Sequence, residues 1–312
     1  MTNTATPSGT LAMGSRAIIV GLLIWPALWI SLSARANDCA QDVSRAQAAD
    51  AAQDLEGLLA VAKRMARSGC PVANTQTVKD MATDLASNQA QTLIAQSDLN
   101  AAADRLALAP STTWRREVGY GDLYAHRKQW DKAAVRYNRA YTLMLAQGQA
   151  SSRPQQAEID RVAALAGQAV VLADDLSAVV SRGSGRGQGI YSKGHRVVPA
   201  PVRFETDSAR LTPQGEQQAS MLARYLKTRE GDGATVTLIG HADERGDPQY
   251  NLQLSARRAE TLKDYLAQQG VTLTLRTQGV GMQQPYALPP GGAPLSNEER
   301  WALDRRVELH FD

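Results

Sequence analysis

The sequence is poor in aromatic residues, histidine and cysteine. Aromatic side chains make up 5% of the 312 residues, so packed cores must rely on Ala, Leu and Val. The chain has 4 histidines and 2 cysteines, and no His or second Cys pair lies near those cysteines at metal-ligand spacing. A phosphate-binding loop, a zinc-protease helix and a nucleophile elbow are also missing. These absences argue against the common enzyme classes, and we predict no cofactor and no metal.

Positive and negative charges are also nearly balanced. The formal net charge is +3 at pH 7. Residues 1–36 hold Arg16 and Arg35 and no acid, so the chain without them has a net charge of +1. Non-specific binding to nucleic acid requires a basic surface, so we predict no nucleic-acid partner.

The N-terminal segment is typical of a signal peptide. An uncharged apolar run, AIIVGLLIWPALWISLS, follows Arg16, and the small-x-small sequence Ala-Arg-Ala ends at Ala36. The run is short for a membrane span, which needs roughly 20 apolar residues, and Pro26 would disturb a spanning helix. We predict that residues 1–36 are a cleaved signal peptide. The alternative is an uncleaved N-terminal anchor, which leaves the rest of the chain in the same compartment.

Both cysteines, Cys39 and Cys70, follow the predicted cleavage site. Two cysteines in an exported chain can form a disulfide, and the alternative is a pair of buried thiols. Closing a loop of this length would stabilise the fold by roughly 3–4 kcal/mol in the chain-entropy model.

Composition divides the remaining chain into three parts. Residues 37–180 are rich in Ala, Leu, Gln and basic residues with few β-branched runs, which predicts an all-helical domain. Residues 181–196 are rich in Gly, Ser and Arg and hold too few apolar side chains to fold alone, which predicts a flexible linker. Residues 197–312 alternate strand and helix patterns. The predicted fold class is α+β, with a helical domain followed by a two-layer α/β sandwich.

One segment of the helical domain, residues 114–147, resembles a single tetratricopeptide-like unit. Gly121 and Ala133 fall where two helices must approach closely, and Tyr124 and Tyr137 fall where the groove between them must be filled. An ordinary alanine-rich helical hairpin explains the same pattern, and the sequence does not choose between the two.

The C-terminal part has a regular succession of elements. We predict strands over 197–206, 234–241, 271–281 and 305–312, helices over 212–228 and 252–269, and a short helix that begins at a capping box of Ser296 and Glu299. Sheet on one side and helices on the other give the two layers.

An acid and a base lie on adjacent elements in the stretch GHADERGDPQYNLQLSARRAETLKDYL, Gly240–Leu266. Asp243 lies in the loop after a predicted central strand. Asn251 is the predicted N-cap of the next helix, and Ser255 and Arg258 share its face at i+4 and i+7. Arginine can grip a carboxylate with two parallel hydrogen bonds. Either Asp243 and Arg258 form a structural salt bridge, or they hold the ammonium and carboxylate ends of a zwitterionic ligand.

The same stretch resembles the OmpA-like C-terminal domain, a peptidoglycan-binding family. The resemblance extends to PVRFETDSARLTPQG (201–215), GVGMQQP (279–285) and NEERWALDRRVEL (297–309), and therefore covers residue 201 to the C-terminus. It implies a βαβαβ-type domain that captures diaminopimelate, in the peptide stem of Gram-negative peptidoglycan, without forming a covalent bond.

The resemblance also assigns roles to residues of this chain. It implies that Asp243 and Arg258 hold the two ends of the diaminopimelate zwitterion and that Asn251 contributes beside them. It implies further that Asp207 lines the pocket and that Arg305 helps to bind a peptide carboxylate.

Two nearby positions depart from the pattern of the family. Ala242 stands where the family usually has Thr, so a hydroxyl is missing beside the acid, and Asp304 stands where Asn is common, which adds negative charge near Arg305. His241 is interpreted as structural, because it follows a buried strand and has no partner at ligand spacing.

The predicted function follows from the resemblance. It is a non-enzymatic protein that binds peptidoglycan and anchors a helical domain to the cell wall, in the periplasm or envelope of a Gram-negative bacterium or in association with its outer membrane. The alternative is an envelope adaptor or scaffold whose helical domain docks a partner protein, with wall binding used only for positioning. A wall-cleaving enzyme would need a zinc cluster, a Cys/His pair or two carboxylates across a sugar-sized cleft, and the sequence places none of these.

Overall fold

The computed structural model describes residues 25–146, 154–175 and 197–312, with the backbone alone for residues 25–37 and Asp232. The predicted linker, residues 181–196, lies outside these ranges, and so does most of the predicted leader.

The N-terminal part of the described chain is helical. Its helices are α1 (Trp25–Ala51), α2 (Leu55–Ser68), α3 (Val72–Ala95), α4 (Leu99–Ala107), α5 (Trp114–His126), α6 (Trp130–Ala146) and α7 (Gln156–Leu172). The predicted cleavage site at Ala36 lies within α1. Across the described residues, no helix combines the length and the apolar character that a membrane crossing requires.

A disulfide joins the first two helices. Cys39 lies in α1 and Cys70 follows the end of α2, with their Cα atoms 5.6 Å apart. The turn that presents Cys70 depends on Gly69, which ends α2 in the left-handed region at φ 69°. Both sulfur-bearing residues are buried among the apolar side chains of α1, α2 and α3. The predicted disulfide is confirmed, and the buried-thiol alternative is wrong.

Helices α5 and α6 form the hairpin that the sequence predicts. A Cβ added to Gly121 would lie 2.5 Å from the ring of Tyr137, so this glycine lets the two helices approach closely. Ala133 is fully buried in the same contact region, and the Tyr137 hydroxyl donates a 2.7 Å hydrogen bond to Asp122. A tetratricopeptide-like unit and an ordinary hairpin both contain this packing, so the resemblance stays a prediction.

The C-terminal part is a mixed sheet with helices. Its elements are β1 (Val197–Ala200), α8 (Pro213–Lys227), a 3₁₀ turn (Glu230–Asp232), β2 (Thr235–His241), α9 (Pro248–Gln268), β3 (Thr274–Gly281), α10 (Asn297–Asp304) and β4 (Val307–Phe311). The strand order is β1-β4-β2-β3. Strands β2 and β3 are parallel, whereas β4 is antiparallel to both β1 and β2. The predicted fold class, a helical domain followed by an α/β domain, is confirmed.

Three predicted element bounds are wrong, and one of them is the start of β3, at Thr274 instead of residue 271. Strand β1 ends at Ala200, because the Val202 N–H donates to the Ala200 carbonyl at 2.8 Å and so turns the chain out of the ladder. Phe204 pairs only in an isolated bridge with Leu211. Helix α9 begins at Pro248, earlier than predicted, because Pro is well suited to the first turn of a helix and Asp247 caps it.

The main core lies between the sheet and helices α8 and α9. Alternate residues of β2 and β4 are buried, which is the period-2 pattern of a sheet with one face on the core. Two glycines let α9 lie close to the parallel strands. A Cβ on Gly240 would lie 2.0 Å from the Ser255 carbonyl oxygen, and one on Gly279 would lie 2.5 Å from the backbone nitrogen of Ala256.

A second apolar cluster joins the helical part to the α/β part. Leu165, Ala166 and Ala169 of α7 are buried together with Ala293 and with Leu303 of α10. The boundary between two domains near residues 181–196 stays a prediction, but the described parts on either side of it share a core.

Polar contacts cross the same boundary. The Glu299 carboxylate accepts hydrogen bonds from Lys128 Nζ at 2.7 Å and from the Trp130 indole at 2.9 Å. Glu299 also completes the predicted capping box with Ser296. One carboxylate therefore caps α10 and fastens α6 to it.

Candidate functional site

The loop after β2 is folded back onto the start of α9. Asn251 is buried, and its side-chain amide donates to the Arg245 carbonyl at 2.7 Å and to the Asp243 carbonyl at 3.3 Å. The predicted N-cap role of Asn251 is wrong, because the Asp247 carboxylate caps the helix by accepting from the Tyr250 N–H at 2.8 Å. Asn251 instead fixes the loop that presents Asp243.

Asp243 is a buried carboxylate held by two arginines. Arg245 binds it in a bidentate manner, with Nη2 2.8 Å from Oδ2 and Nε 3.2 Å from Oδ1. Arg305 Nη1 lies 2.8 Å from Oδ2. Burial alone would raise the pKa of Asp243, but the hydrogen bonds from Arg245 and Arg305 outweigh it and lower the pKa to about 2. Asp243 is therefore ionised throughout the neutral range.

Arg258 faces the same region from α9 but has a different environment. It is only 5% exposed, and its Nε donates to the Ser208 carbonyl at 3.0 Å. Its guanidinium lies 5.4 Å from the centroid of the Phe204 ring. Within residues 25–146, 154–175 and 197–312, no carboxylate forms an ion pair with Arg258.

The pKa of Arg258 is lower than that of a free arginine side chain. Burial is the main cause of the lowered pKa, and the positive charge of Arg305 lowers it further. The negative charges of Asp243 and Asp207 oppose this shift only in part. Burying a cation without an ion-paired carboxylate is costly, so an anion bound beside Arg258 would offset part of that cost.

Of the two alternatives that the sequence left open, the direct salt bridge between Asp243 and Arg258 does not form. Asp243 does pair, but its partners Arg245 and Arg305 come from its own loop and from the end of α10. The carboxylate and the buried guanidinium therefore remain separate groups on one site.

The two remaining predicted residues also lie here. Asp207 has a left-handed backbone, with φ 53°, and its carboxylate accepts a 2.7 Å hydrogen bond from the Tyr250 hydroxyl. Arg305 links Asp243 to Glu298, whose Oε1 lies 3.0 Å from Arg305 Nη2. The neighbouring Asp304 accepts from the Tyr286 N–H at 2.7 Å, so its carboxylate supports the chain after β3.

One cavity of about 1180 Å³ brings all five predicted ligand-binding side chains together: Asp207, Asp243, Asn251, Arg258 and Arg305. Its lining also holds equal numbers of arginines and carboxylates, five of each. A lining that is charged yet balanced suits a zwitterion better than a polyanion.

The sequence left part of this lining unassigned. Arg245 lies within the motif, and its place two residues after Asp243 was the available signal for a pair between them. Trp130, Val171 and Leu172 of the helical part also line the cavity. Nothing in their local sequence indicates it, because only the packing of α6 and α7 on the α/β part brings them there.

His241 is buried beneath the site. Its Nδ1 lies 3.2 Å from the Gln284 carbonyl oxygen, and its Nε2 lies 3.6 Å from a Glu308 carboxylate oxygen. The hydrogen bonds and charge around Glu308 overcome its burial and lower the pKa of that carboxyl. This contact supports the structural interpretation of His241.

The comparison with known proteins decides the family of the C-terminal part. Residues 203–293 match the OmpA family. This chain thus carries an OmpA family domain, as the resemblance predicts, and all of the predicted ligand-binding residues except Arg305 fall within the matched range.

Curated relatives of the OmpA family domain are lipoproteins by name. The peptidoglycan-associated lipoprotein of Pseudomonas aeruginosa is 39% identical over 107 residues, which cover 34% of this chain and 58% of that protein. That of Agrobacterium fabrum is 40% identical over 111 residues, or 34% and 56% of the two chains. The probable lipoprotein YiaD of Escherichia coli is 33% identical over 129 residues, or 40% and 55%. The chain spans less than two thirds of the length of each.

Solved structures were also found. A crystal structure of the peptidoglycan-associated lipoprotein from Burkholderia pseudomallei is 29% identical with a TM-score of 0.30, covering 38% of this chain and 91% of that one. The periplasmic domain of Helicobacter pylori MotB is 21% identical with a TM-score of 0.31, covering 37% and 73%.

Proposed function

We propose that the OmpA family domain binds peptidoglycan without covalent chemistry, by capturing the diaminopimelate residue of the peptide stem. Arg258 holds the carboxylate of that residue and Asp243 its ammonium, while Asn251 fixes the loop and Asp207 and Arg305 complete the charged lining. The observation that carries the proposal is Arg258, a buried guanidinium with no ion-paired carboxylate in the described chain, on a cavity that also holds an ionised Asp243.

Two further observations support this function. The balanced charge of the lining matches a zwitterionic amino-acid head, and the names of the relatives include peptidoglycan-associated lipoproteins. Binding in the periplasm or envelope of a Gram-negative bacterium would anchor the helical part to the wall. The adaptor hypothesis, with an envelope partner for the helical part, stays a prediction from the sequence.

The affinity of one site would be modest. Charge-assisted hydrogen bonds contribute about 1.5–3 kcal/mol each, and the ligand must displace existing contacts of Asp243. A micromolar-to-millimolar affinity for a single stem is consistent with this, and the repeating polymer raises retention through high local concentration.

The test compares two adjacent arginines of α9. Arg258→Gln removes the buried guanidinium, and Arg257→Gln is the matched control, because Arg257 is exposed and loses the same charge. Diaminopimelate binding is measured by calorimetry, and retention on purified sacculi is measured by sedimentation. We expect Arg258→Gln to weaken binding by about tenfold or more and Arg257→Gln to leave it within about twofold.

The proposal would be contradicted by equal binding of the two variants. Thermal unfolding shows whether either variant has lost its fold. Arg258→Gln should remain folded, because it removes an unpaired buried charge rather than creating one.

A further inference from the structure

The cavity is larger than a single amino-acid head requires. Its volume is about 1180 Å³, whereas pockets for drug-sized ligands are typically about 300–1,000 Å³. The charged groups occupy only part of the lining. The remainder includes apolar side chains from both parts of the molecule.

Three apolar side chains of the helical part form one wall. Trp130 stands at the start of α6, and Val171 and Leu172 stand at the end of α7. Phe204 and Ala302 of the α/β part line the same cavity.

Phe204, which lines the same cavity, lies beside the charged region, because the Arg258 guanidinium is 5.4 Å from the centroid of its ring. A ligand whose carboxylate reaches Arg258 therefore has apolar surface beside it.

The wall is held in place by contacts that cross between the two parts. The indole N–H of Trp130 donates to Glu299 at 2.9 Å, which fixes the ring beside α10. The end of α7 is fastened by Arg203, whose Nη2 lies 2.9 Å from Asp174 Oδ1 and 3.0 Å from the Ala173 carbonyl oxygen. Fixed side chains lose little freedom when a ligand binds, which favours their use as a binding surface.

We infer that the helical part supplies a second, apolar subsite, formed by Trp130, Val171 and Leu172, that accepts a small apolar residue joined to the zwitterionic one. The inference rests on the proposed function, since it extends the ligand held by Arg258 and Asp243. The ligand class is thus a peptide in which diaminopimelate is followed by a residue such as alanine, and both parts of the protein bind it.

The test measures how much one added apolar residue improves binding to the full-length chain. The probes are free diaminopimelate, diaminopimelyl-glycine and diaminopimelyl-D-alanine. We expect the wild type to bind the alanine probe about threefold to fivefold more tightly than the glycine probe, because the methyl group of alanine is transferred from water to the apolar wall.

The variant Val171→Asp places a charge on the wall, at a partly buried side chain at the edge of the shared core, and thermal unfolding checks that the variant is folded. We expect it to abolish the difference between the alanine and glycine probes and to change the affinity for free diaminopimelate by less than about threefold. The matched control is Gln155→Glu, which adds the same charge at the exposed opposite end of α7 and should behave as the wild type.

A second measurement does not depend on a variant that folds. The Trp130 indole N–H resonance of the wild type, assigned with Trp130→Phe, should shift on addition of diaminopimelyl-D-alanine and not on addition of free diaminopimelate.

The outcomes separate the two proposals. A wild type that binds none of the probes overturns the proposed function and this inference together. A wild type that binds free diaminopimelate but shows no preference for the alanine probe, or no indole shift, overturns the second subsite alone.

Discussion

The guanidinium of Arg245 grips both carboxylate oxygens of Asp243, at 2.8 and 3.2 Å, at the position that the ammonium of the proposed ligand would take. Arg245 is half exposed and its guanidinium carbon lies 4.0 Å from the centroid of the Trp301 ring, so it covers the carboxylate from the solvent side. Arg305 Nη1 also donates to one of these oxygens, Oδ2, at 2.8 Å. Asp243 is thus already paired with two arginines, whereas Arg258 has no ion-paired carboxylate among the described residues.

This arrangement predicts that Arg245 competes with the ligand. The variant Arg245→Ala should bind diaminopimelate about threefold to tenfold more tightly than the wild type, because the ammonium no longer displaces a bidentate pair. The pKa of Asp243 should rise above its value of about 2, since hydrogen bonds from Arg245 help to lower it. Calorimetry measures the affinity, and the carboxyl carbon resonance of Asp243 measures the pKa.

A conservative variant serves as the control for charge. Arg245→Lys keeps the positive charge but loses the bidentate geometry, so its affinity should lie between those of the wild type and Arg245→Ala. Weaker binding by Arg245→Ala than by the wild type would show that Arg245 contacts the ligand instead of competing with it.

The distance between the loop of Asp243 and the helix of Arg258 depends on Gly240. A Cβ at this position would lie 2.0 Å from the Ser255 carbonyl oxygen, a backbone atom of α9 that cannot rotate away. Gly240→Ala should therefore lower the free energy of unfolding by about 1–3 kcal/mol, as overpacking commonly does. It should also weaken diaminopimelate binding, because strand and helix must separate.

Gly231→Ala is the matched control for this change. No atom lies within 4 Å of a Cβ built on Gly231, so the same added methyl should leave stability and binding nearly unchanged. Urea unfolding and calorimetry test both variants, and similar stability for the two would refute the proposed role of Gly240 in helix–strand spacing.

The sequence predicts the site well where the signal is local. A β-branched strand, a polar loop and an amphipathic helix place Asp243 and Arg258 near one another, and the motif spacing identifies the family. The prediction that Asn251 caps the helix was wrong, because Asp247 and Pro248 form a stronger helix start four residues earlier.

The contacts of the site that escaped prediction depend on long-range packing. Arg305 joins Asp243 across 62 positions of the sequence, and Trp130 meets Glu299 across 169. Periodicity and propensity carry no information on such pairs. The cavity wall from α6 and α7 appears only once the two parts are packed together.

Outside the site, Asp122 predicts a dependence of stability on pH. Burial raises its pKa to about 6, although the hydrogen bond from Tyr137 and the charges of Arg161 and His126 oppose the shift. An unfolded Asp titrates near 3.9, so the folded state binds the proton more tightly. The stabilisation from this group is complete below about pH 4 and is lost as the pH rises through about 6, by roughly 3 kcal/mol in total.

The variant Asp122→Asn removes this titration and can still accept the hydrogen bond from Tyr137. Its unfolding free energy relative to the wild type should rise between pH 4 and pH 7, so that it is the more stable protein at neutral pH. Asp104→Asn, at an exposed position of α4, should show no such trend. Urea unfolding at several pH values provides the measurement, and a constant difference between wild type and Asp122→Asn would disprove the expected titration.

The disulfide predicts a loss of stability on reduction. Cys39 and Cys70 are separated by 31 positions, and a cross-link over such a loop stabilises by about 3–4 kcal/mol by restricting the unfolded chain. The double variant Cys39→Ser, Cys70→Ser should lose about this amount of unfolding free energy in urea, and reduction of the wild type should reproduce most of the loss.

The loss of stability should be confined to α1, α2 and α3, whose buried side chains surround the bridge. Hydrogen exchange should therefore accelerate in these helices and remain unchanged in β2 and α9. Equal acceleration in both regions would mean that the whole chain unfolds as one unit, because the shared core of α7 and α10 would then transmit the loss to the binding site.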